Sequence, residues 1–324
     1  MAEPGVRIIV IVGPTATGKS SLAAHLAARL GGEIIGFDSM QVYRGLDAGT
    51  AKPPASVMRE IPHHLIDIAD PGVDFSAGDF ARLAGTAIGE IAARGRSPIL
   101  AGGTGLYLRA LMRGLAEMPR RNARLRSALA SMLRTRGEGH LHRMLVLLDP
   151  GRARELSPRD TQRVVRALEV AYETGRPQSA WVAGQPFGPD RYPACKVGLT
   201  MPWPLLTARI EARVERMFAS GLVEEAASLL RAGVPRSANC FKALGYREIL
   251  PYLSGSAGLV ATKTLVKANT RRYARRQLTW FRREPGVVWF ELGERPEECY
   301  PRIEAEIARQ ESARESSDGN RHAE

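Results

Sequence analysis

Residues 7–32, RIIVIVGPTATGKSSLAAHLAARLGG, read as a buried strand, a glycine-rich turn and a helix. Ile8 to Val12 is an unbroken β-branched run, the composition of a parallel strand covered on both faces. Ser21 to Leu30 is rich in Ala and Leu and stops at Gly31-Gly32, a normal helix terminator. Between them, Gly13, Pro14, Thr15, Ala16, Thr17, Gly18, Lys19 and Ser20 satisfy G-x-x-x-x-G-K-[ST], in the strand-turn-helix context that gives the motif its meaning. Several backbone N–H groups must point inward at phosphate oxygens, so glycines let the chain wrap closely. The helix N-terminus adds partial positive charge, Lys19 neutralises oxygen atoms, and Ser20 can ligate Mg²⁺. The motif specifies phosphate without specifying ATP, since two phosphoryl groups on any carbon skeleton fit the cradle.

Working outward, EIIGFDS gives a second short strand whose carboxyl end delivers Asp38. SPILAGGTGLYL repeats the design, with Pro98 to Ala101 as strand and Gly102, Gly103, Thr104 and Gly105 as turn. CKVGLTM and VVWFEL read as later strands, and WPLLTARIEARVERMFASGLVEEAASLL as two helices broken at Gly221. Strand, loop and helix in repetition predict an α/β fold, a P-loop-type parallel sheet core flanked by helices, with three ligand-bearing strand ends converging. From about Pro119 to Pro193 the pattern is helical and Arg-rich without a convincing strand, which predicts an inserted all-helical domain. The expected organisation is a first core part at 1–117, the helical insertion at 118–198, a second core part with a basic helix at 199–310, and a frayed polar tail at 311–324.

The chain has 324 residues, 44% hydrophobic and 25% charged, which excludes wholesale disorder and a fibrous repeat. Cys195, Cys240 and Cys299 are far apart, so neither a disulfide framework nor a cysteine zinc site is expected. No apolar run approaches the roughly 20 residues of a membrane span, and the first residues, MAEPGVR, lack the layout of a secretory signal. The expected location is cytoplasmic. Lys plus Arg (46) against Asp plus Glu (34) gives +12, which suits a polyanionic partner. Residues 263–283 contain eight Lys or Arg and no Asp or Glu. Lys263, Lys267, Arg271 and Arg275 recur every four residues on one helix face, with Arg272 and Arg276 alongside, a stripe suited to a phosphate backbone.

Asp38 has two readings, a general base or a Mg²⁺ holder. Thr104 has a hydroxyl able to orient it, or is a turn residue. Adjacent His63 and His64 fit a structural or RNA-facing role better than a shared metal. Tyr107, Leu108, Trp181 and Trp203 read as core.

Taken in order, GPTATGKS, DSMQVYRGLDAGTAKP (38–53), HHLIDIADP (63–71), GGTGLYLRALMRGL (102–115), DTQRVVRALEVAYETGRP (160–177), RIEARVERMFASGLVEE (209–225) and KALGYREI (242–249) resemble the bacterial tRNA dimethylallyltransferases, the IPP transferase family. The resemblance runs over about residues 7–292. It implies transfer of a dimethylallyl group from dimethylallyl diphosphate to N6 of the adenosine 3′-adjacent to the anticodon in tRNA. The cradle would hold the diphosphate with Mg²⁺ at Ser20. Asp38 would act as base, with Thr104 beside it and Arg213 at the departing diphosphate; Arg209, one turn earlier on the same face, shares that reading. The tRNA contacts implied are Asp38, Ser39, Met40, Gln41, Thr104, Arg126, Gln162, Arg163, Val164, Val165, Arg166, Lys242, Lys267, Arg271 and Arg275. The insertion would hold the anticodon stem-loop, and the protein would be a monomer.

This chain departs from the family at Met40, where arginine is frequent, and shows no C-terminal zinc module of the eukaryotic kind. A prenyltransferase acting on free AMP or ADP would need neither the insertion nor the basic stripe. A P-loop small-molecule kinase would need a lid arginine segment and an adenine slot, and a nonenzymatic RNA-binding protein leaves Asp38 and the intact cradle without purpose.

Overall fold

The computed structural model describes residues 6–116, 118–119, 121–184 and 188–321. The chain opens with β1 (Ile8–Val12), α1 (Lys19–Leu30), β2 (Glu33–Phe37), α2 (Ala55–Glu60), the two-residue β3 (His63–His64), α3 (Ala77–Ala93) and β4 (Pro98–Gly102). Six helices follow: α4 (Gly105–Arg113), α5 (Ala123–Arg136), α6 (Glu138–Leu148), α7 (Pro150–Glu155), α8 (Thr161–Thr174) and α9 (Gln178–Gly184). The chain then forms β5 (Ala194–Thr200), α10 (Trp203–Ala219), α11 (Leu222–Arg231), α12 (Tyr246–Leu253), α13 (Leu259–Phe281), β6 (Val287–Glu291) and α14 (Tyr300–Arg321).

The six strands form one sheet in the order β3-β2-β4-β1-β5-β6, with every pairing parallel. All five residues of β1 are buried, and the pleat sends them to opposite faces. Ile9 and Ile11 pack with Leu22 and Leu26 of α1, Leu206 and Ile210 of α10, and Ile303 and Ile307 of α14. Ile8, Val10 and Val12 pack with Phe80 and Ile88 of α3, Leu108 and Leu111 of α4, and Phe281. Two covered faces explain why β1 is apolar without alternation. A third cluster seats the loop after β2, joining Val42, Tyr43 and Leu46 to Val214 and Met217 of α10, Leu222 of α11, Tyr246 of α12 and Val266 of α13.

Because β2, β4 and β1 are neighbours, the segments leaving their carboxyl ends lie side by side: Asp38, the 102–105 turn and the 13–18 turn. This is the crevice at which open α/β sheets bind ligands. Gly18, at φ +94 ahead of α1, holds a left-handed conformation that a side chain would strain.

The chain divides into two compact units, one of Met1–Met112 with Asp190–Glu324 and one of Arg113–Pro189. The boundaries expected at 118 and 198 therefore shift: β5 begins at Ala194 and pairs along its length with β1, which draws residues 194–198 into the sheet. The helical unit has its own core of Leu129, Leu141, Leu145, Leu156, Val164 and Leu168. The expected tail at 311–324 is corrected as far as Arg321, which ends α14. Docking of Ile303 and Ile307 nucleates that helix, after which each further turn is inexpensive to add. Residues 322–324 lie outside the described residues.

Since Ile11 is fully buried within its cluster, Ile11→Ala should destabilise the protein by about 2–5 kcal/mol. Urea unfolding checks this, and a loss under about 1 kcal/mol would contradict closure of that face of the sheet.

Candidate active site

A cavity of about 420 Å³ opens at the three strand ends, and its walls carry Lys19, Arg209, Arg213 and Arg216 against one carboxylate, Asp38. Lys19 begins α1 directly after the turn, whereas the three arginines come from one helix, α10, at spacings of four and three that put them on one face. Three of the cations are tied to main-chain carbonyls. Lys19 Nζ donates to Pro14 O (2.7 Å), Arg209 Nε to Ala16 O (3.2 Å) and Arg213 Nη2 to Thr50 O (3.1 Å). Carbonyl partners fix direction without cancelling charge, so the cavity stays electropositive. Burial, and secondarily Arg213, pull the Lys19 ammonium down to about 7, with Asp38 opposing. Burial likewise lowers Arg213, and Asp38 pushes it back up.

The sequence-predicted cradle is assembled, and its members divide the work. Thr15, Ala16, Gly18, Lys19 and Ser20 line the cavity. Thr17 is fully buried and donates its hydroxyl to Pro14 O (2.9 Å), which fastens the turn from beneath. At Gly13, where φ is +143, a Cβ would overlap the Leu199 carbonyl. Asp38 Oδ1 accepts from the Met40 N–H (2.9 Å), so the carboxylate is oriented by its own chain. Thr104 Oγ1 accepts from the Ser39 N–H (3.0 Å) and its N–H donates to Phe37 O (3.2 Å), joining the second glycine turn to the Asp38 segment. Gln41 also lines the cavity and donates to Thr50 O (3.2 Å).

Among the cavity's long polar side chains, Arg216, Tyr273 and Gln277 were not read from the sequence. Arg216 carried a signal, its spacing from Arg209 and Arg213. Gln277 carried none. From α13 it accepts the Thr15 N–H at Oε1 (2.8 Å) and donates Nε2 to Gly103 O (3.0 Å), bridging both glycine turns. A Cβ at Gly103 would overlap the Gln277 carboxamide, so a larger residue there would displace this bridge.

Ser20 and Asp38 are the side-chain oxygens at the cavity that suit a hard cation. Among the described residues no group of three or more His, Cys, Asp or Glu forms a metal cage. A hydroxyl and one carboxylate fit an ion such as Mg²⁺, which takes its remaining ligands from phosphate oxygens and water.

The residues expected at the RNA separate. Lys263 and Lys267 pair with Glu215 of α10 (2.9 and 2.7 Å), and Arg271 pairs with Glu211 (2.6 Å). The Arg275 guanidinium lies over the Trp203 ring, 4.5 Å from its centroid. Three members of the stripe expected to be open to phosphates thus form an ion ladder between two helices, because acids absent from α13 recur every four residues on α10, whereas Arg275 is exposed. Arg272 and Arg276, on the adjoining face, are exposed. Lys242 is exposed and donates to Asn239.

In the helical unit, Arg126 and Arg166 pair with the fully buried Glu169 (3.2 and 2.8 Å). Removing either partner would leave a buried charge poorly compensated, so both have a structural task. Val164, expected at the RNA, is corrected to core: it is 1% exposed. Val165 is half-buried, and Gln162 and Arg163 are exposed on α8. His63 and His64 form the sheet's edge strand; His63 Nδ1 bonds Ile61 O (2.7 Å) and His64 Nε2 bonds Glu33 (2.7 Å). Tyr107 and Leu108 are core, as read, while Trp181 and Trp203 are partly exposed.

A family model described as IPP transferase matches residues 41–284. A tRNA dimethylallyltransferase of Geobacter metallireducens is 48% identical over 289 residues, 89% of this chain and 94% of the relative. One of Anaeromyxobacter dehalogenans is 48% identical over 302 residues, 92% and 99% of the two chains. Among solved structures, the full-length tRNA isopentenylpyrophosphate transferase of Bacillus halodurans matches with TM-score 0.68 and 39% identity, over 95% of this chain and 99% of that one. A eukaryotic dimethylallyltransferase acting on tRNA matches with TM-score 0.74 and 28% identity, over 89% and 74% of the two chains.

The lowered Lys19 gives a pH test. Below about 7 Lys19 is charged before an anion arrives; above it, binding must take up a proton. Affinity for inorganic diphosphate should therefore fall as pH rises through about 7, by up to about tenfold per unit beyond the anion's own titration. Lys19→Arg fixes the charge and removes that component. Calorimetric titrations of both proteins provide the comparison; parallel pH profiles would refute it.

Proposed function

Because the chain belongs to the IPP transferase family, we propose that it transfers a dimethylallyl group from dimethylallyl diphosphate to N6 of the adenosine 3′-adjacent to the anticodon in tRNA, releasing diphosphate. The observation that carries this activity is the wall of the cavity, four cations with a single carboxylate at the ends of adjacent strands. Such a wall favours an anion whose charge grows as a bond breaks, with a base in reach of the attacking atom.

The N6 lone pair attacks C1 of the allylic chain as the C1–O bond breaks, and diphosphate leaves with the bonding electrons. Its growing charge meets Lys19, the N–H groups of the cradle and the Arg213 guanidinium, with Arg209 beside it, where most of the rate enhancement should lie. An adenine amine is a weak nucleophile, so Asp38 accepts the N6 proton as the C–N bond forms. Its Oδ1 already holds the Met40 N–H, which leaves Oδ2 for the proton. Thr104 braces that segment through Ser39. Mg²⁺ at Ser20 would neutralise part of the diphosphate charge. The target base leaves its stack for a few kcal/mol, an expense lowest in a single-stranded loop.

For the RNA, the exposed Arg272, Arg275, Arg276 and Lys242, and Gln162 and Arg163 in the helical unit, are side chains open to phosphates. Dimethylallyl diphosphate, the anticodon stem-loop, a monomeric state and a cytoplasmic location complete the proposal. No described helix is long and apolar enough to cross a membrane.

Incubation with labelled dimethylallyl diphosphate and either whole tRNA or AMP should place label in tRNA alone; label in AMP would reassign the acceptor. Asp38→Asn should lower transfer by roughly 10²–10⁴-fold while filter binding of tRNA stays near wild type. Normal turnover in that variant would remove the base role. Replacing Arg272 and Arg276 by Ala should weaken tRNA binding and flatten its log–log salt slope by about 2, whereas an unchanged slope would place the phosphates elsewhere.

A further inference from the structure

Away from the cavity wall, a second network holds the loop that forms the cavity's rim. Glu225, in the first turn of α11, accepts at Oε2 from the N–H groups of Asp47 (2.9 Å) and Ala48 (3.0 Å). Tyr246, the first residue of α12, donates its hydroxyl to Glu225 Oε1 and accepts the Gly49 N–H (3.2 Å). The loop lies so close that a Cβ on Gly49 would overlap the Tyr246 ring. Three successive backbone donors are thus taken by two side chains more than 170 residues away in sequence. The carbonyl of the next residue, Thr50 O, is the group that accepts from Arg213 Nη2 (3.1 Å) and from Gln41 Nε2 (3.2 Å). Ala51 then turns through φ +49, a left-handed conformation that a loop holds only when its surroundings fix it.

We propose that Glu225 and Tyr246 are positioning residues: by fixing residues 47–49 they place the Thr50 carbonyl, whose bond from Arg213 Nη2 holds that guanidinium toward the departing diphosphate. The inference rests on Arg213 contacting that diphosphate. Neither residue lines the cavity, so each acts through the backbone between them. Burial, and then the adjacent Glu225, push the Tyr246 phenol far above its usual range, so it remains a proton donor wherever the enzyme works. Glu225 is suited to the task because one carboxylate oxygen accepts two neighbouring N–H groups while the other accepts the Tyr246 hydroxyl.

A double-mutant cycle tests the chain of contacts, read both as affinity for inorganic diphosphate and as kcat and KM with tRNA saturating. Arg213→Ala should weaken diphosphate binding. Glu225→Ala should weaken it about tenfold and lower kcat with little change in KM for tRNA, while Glu225→Gln, whose carbonyl can still accept both N–H groups, should stay within about threefold of wild type. Combining Glu225→Ala with Arg213→Ala should add nothing to Arg213→Ala alone. Tyr246→Phe, which keeps the ring and drops the hydroxyl, carries the same cycle if Glu225→Ala fails to fold. Additive losses, or wild-type diphosphate affinity in both Glu225→Ala and Tyr246→Phe, would overturn the positioning role while leaving Arg213 in place. Unchanged affinity in Arg213→Ala would overturn the role of Arg213 itself and the proposal with it.

Discussion

Positive charge held by main-chain carbonyls, without acidic partners, is the condition on which this site depends. Lys19, Arg209 and Arg213 each find an oxygen on Pro14, Ala16 or Thr50. A carbonyl satisfies a donor and sets its direction, yet leaves the monopole for an incoming anion. The same cations paired with carboxylates would be better solvated and far less useful. Elsewhere the protein does use carboxylates: Lys263, Lys267 and Arg271 pair with Glu215 and Glu211, and Arg126 and Arg166 with Glu169. The contrast separates cations that hold helices together from cations kept ready for a ligand.

The sheet makes this arrangement possible by placing β2, β4 and β1 next to one another. Their exits bring a carboxylate, a threonine turn and a phosphate cradle into one crevice, with both faces of β1 sealed by helices behind them. Gln277 from α13 ties the two glycine turns together, so a helix distant in sequence closes the floor of the site.

Much of this was legible in the sequence because the signals were local. A strand buried on both faces reads as an unbroken apolar run, and eight residues suffice to place the glycine-rich turn between β1 and α1 at the cavity. The order of the strands' ends gave Asp38 and Thr104. What local signals do not carry is the partner across a helix interface. Periodicity placed Lys263, Lys267, Arg271 and Arg275 on one face of α13, but the acids that meet the first three belong to α10 and share its spacing of four, and the aromatic ring beneath Arg275 is also on α10. The family resemblance puts Val164 among the tRNA contacts, although its place on the inner face of α8 buries it. Gln277 and Glu225 each act through two long-range hydrogen bonds to backbone atoms, which leave no periodic trace. The segment 311–321 looked too polar to be ordered; it is helical because the apolar anchors lie earlier, at Ile303 and Ile307.

The rim loop between Asp38 and Lys52 is held differently from everything behind it. The sheet is braced by clusters of many side chains on two faces, whereas the main chain of residues 47–49 is held by one carboxylate and one phenol, beside the Asp47–Lys52 ion pair and the packing of Ala48 on the third cluster. Openings that break only those few bonds require far less free energy than melting the strands. On warming, such an enzyme would go quiet while still folded, and on cooling it would recover its activity without having to refold.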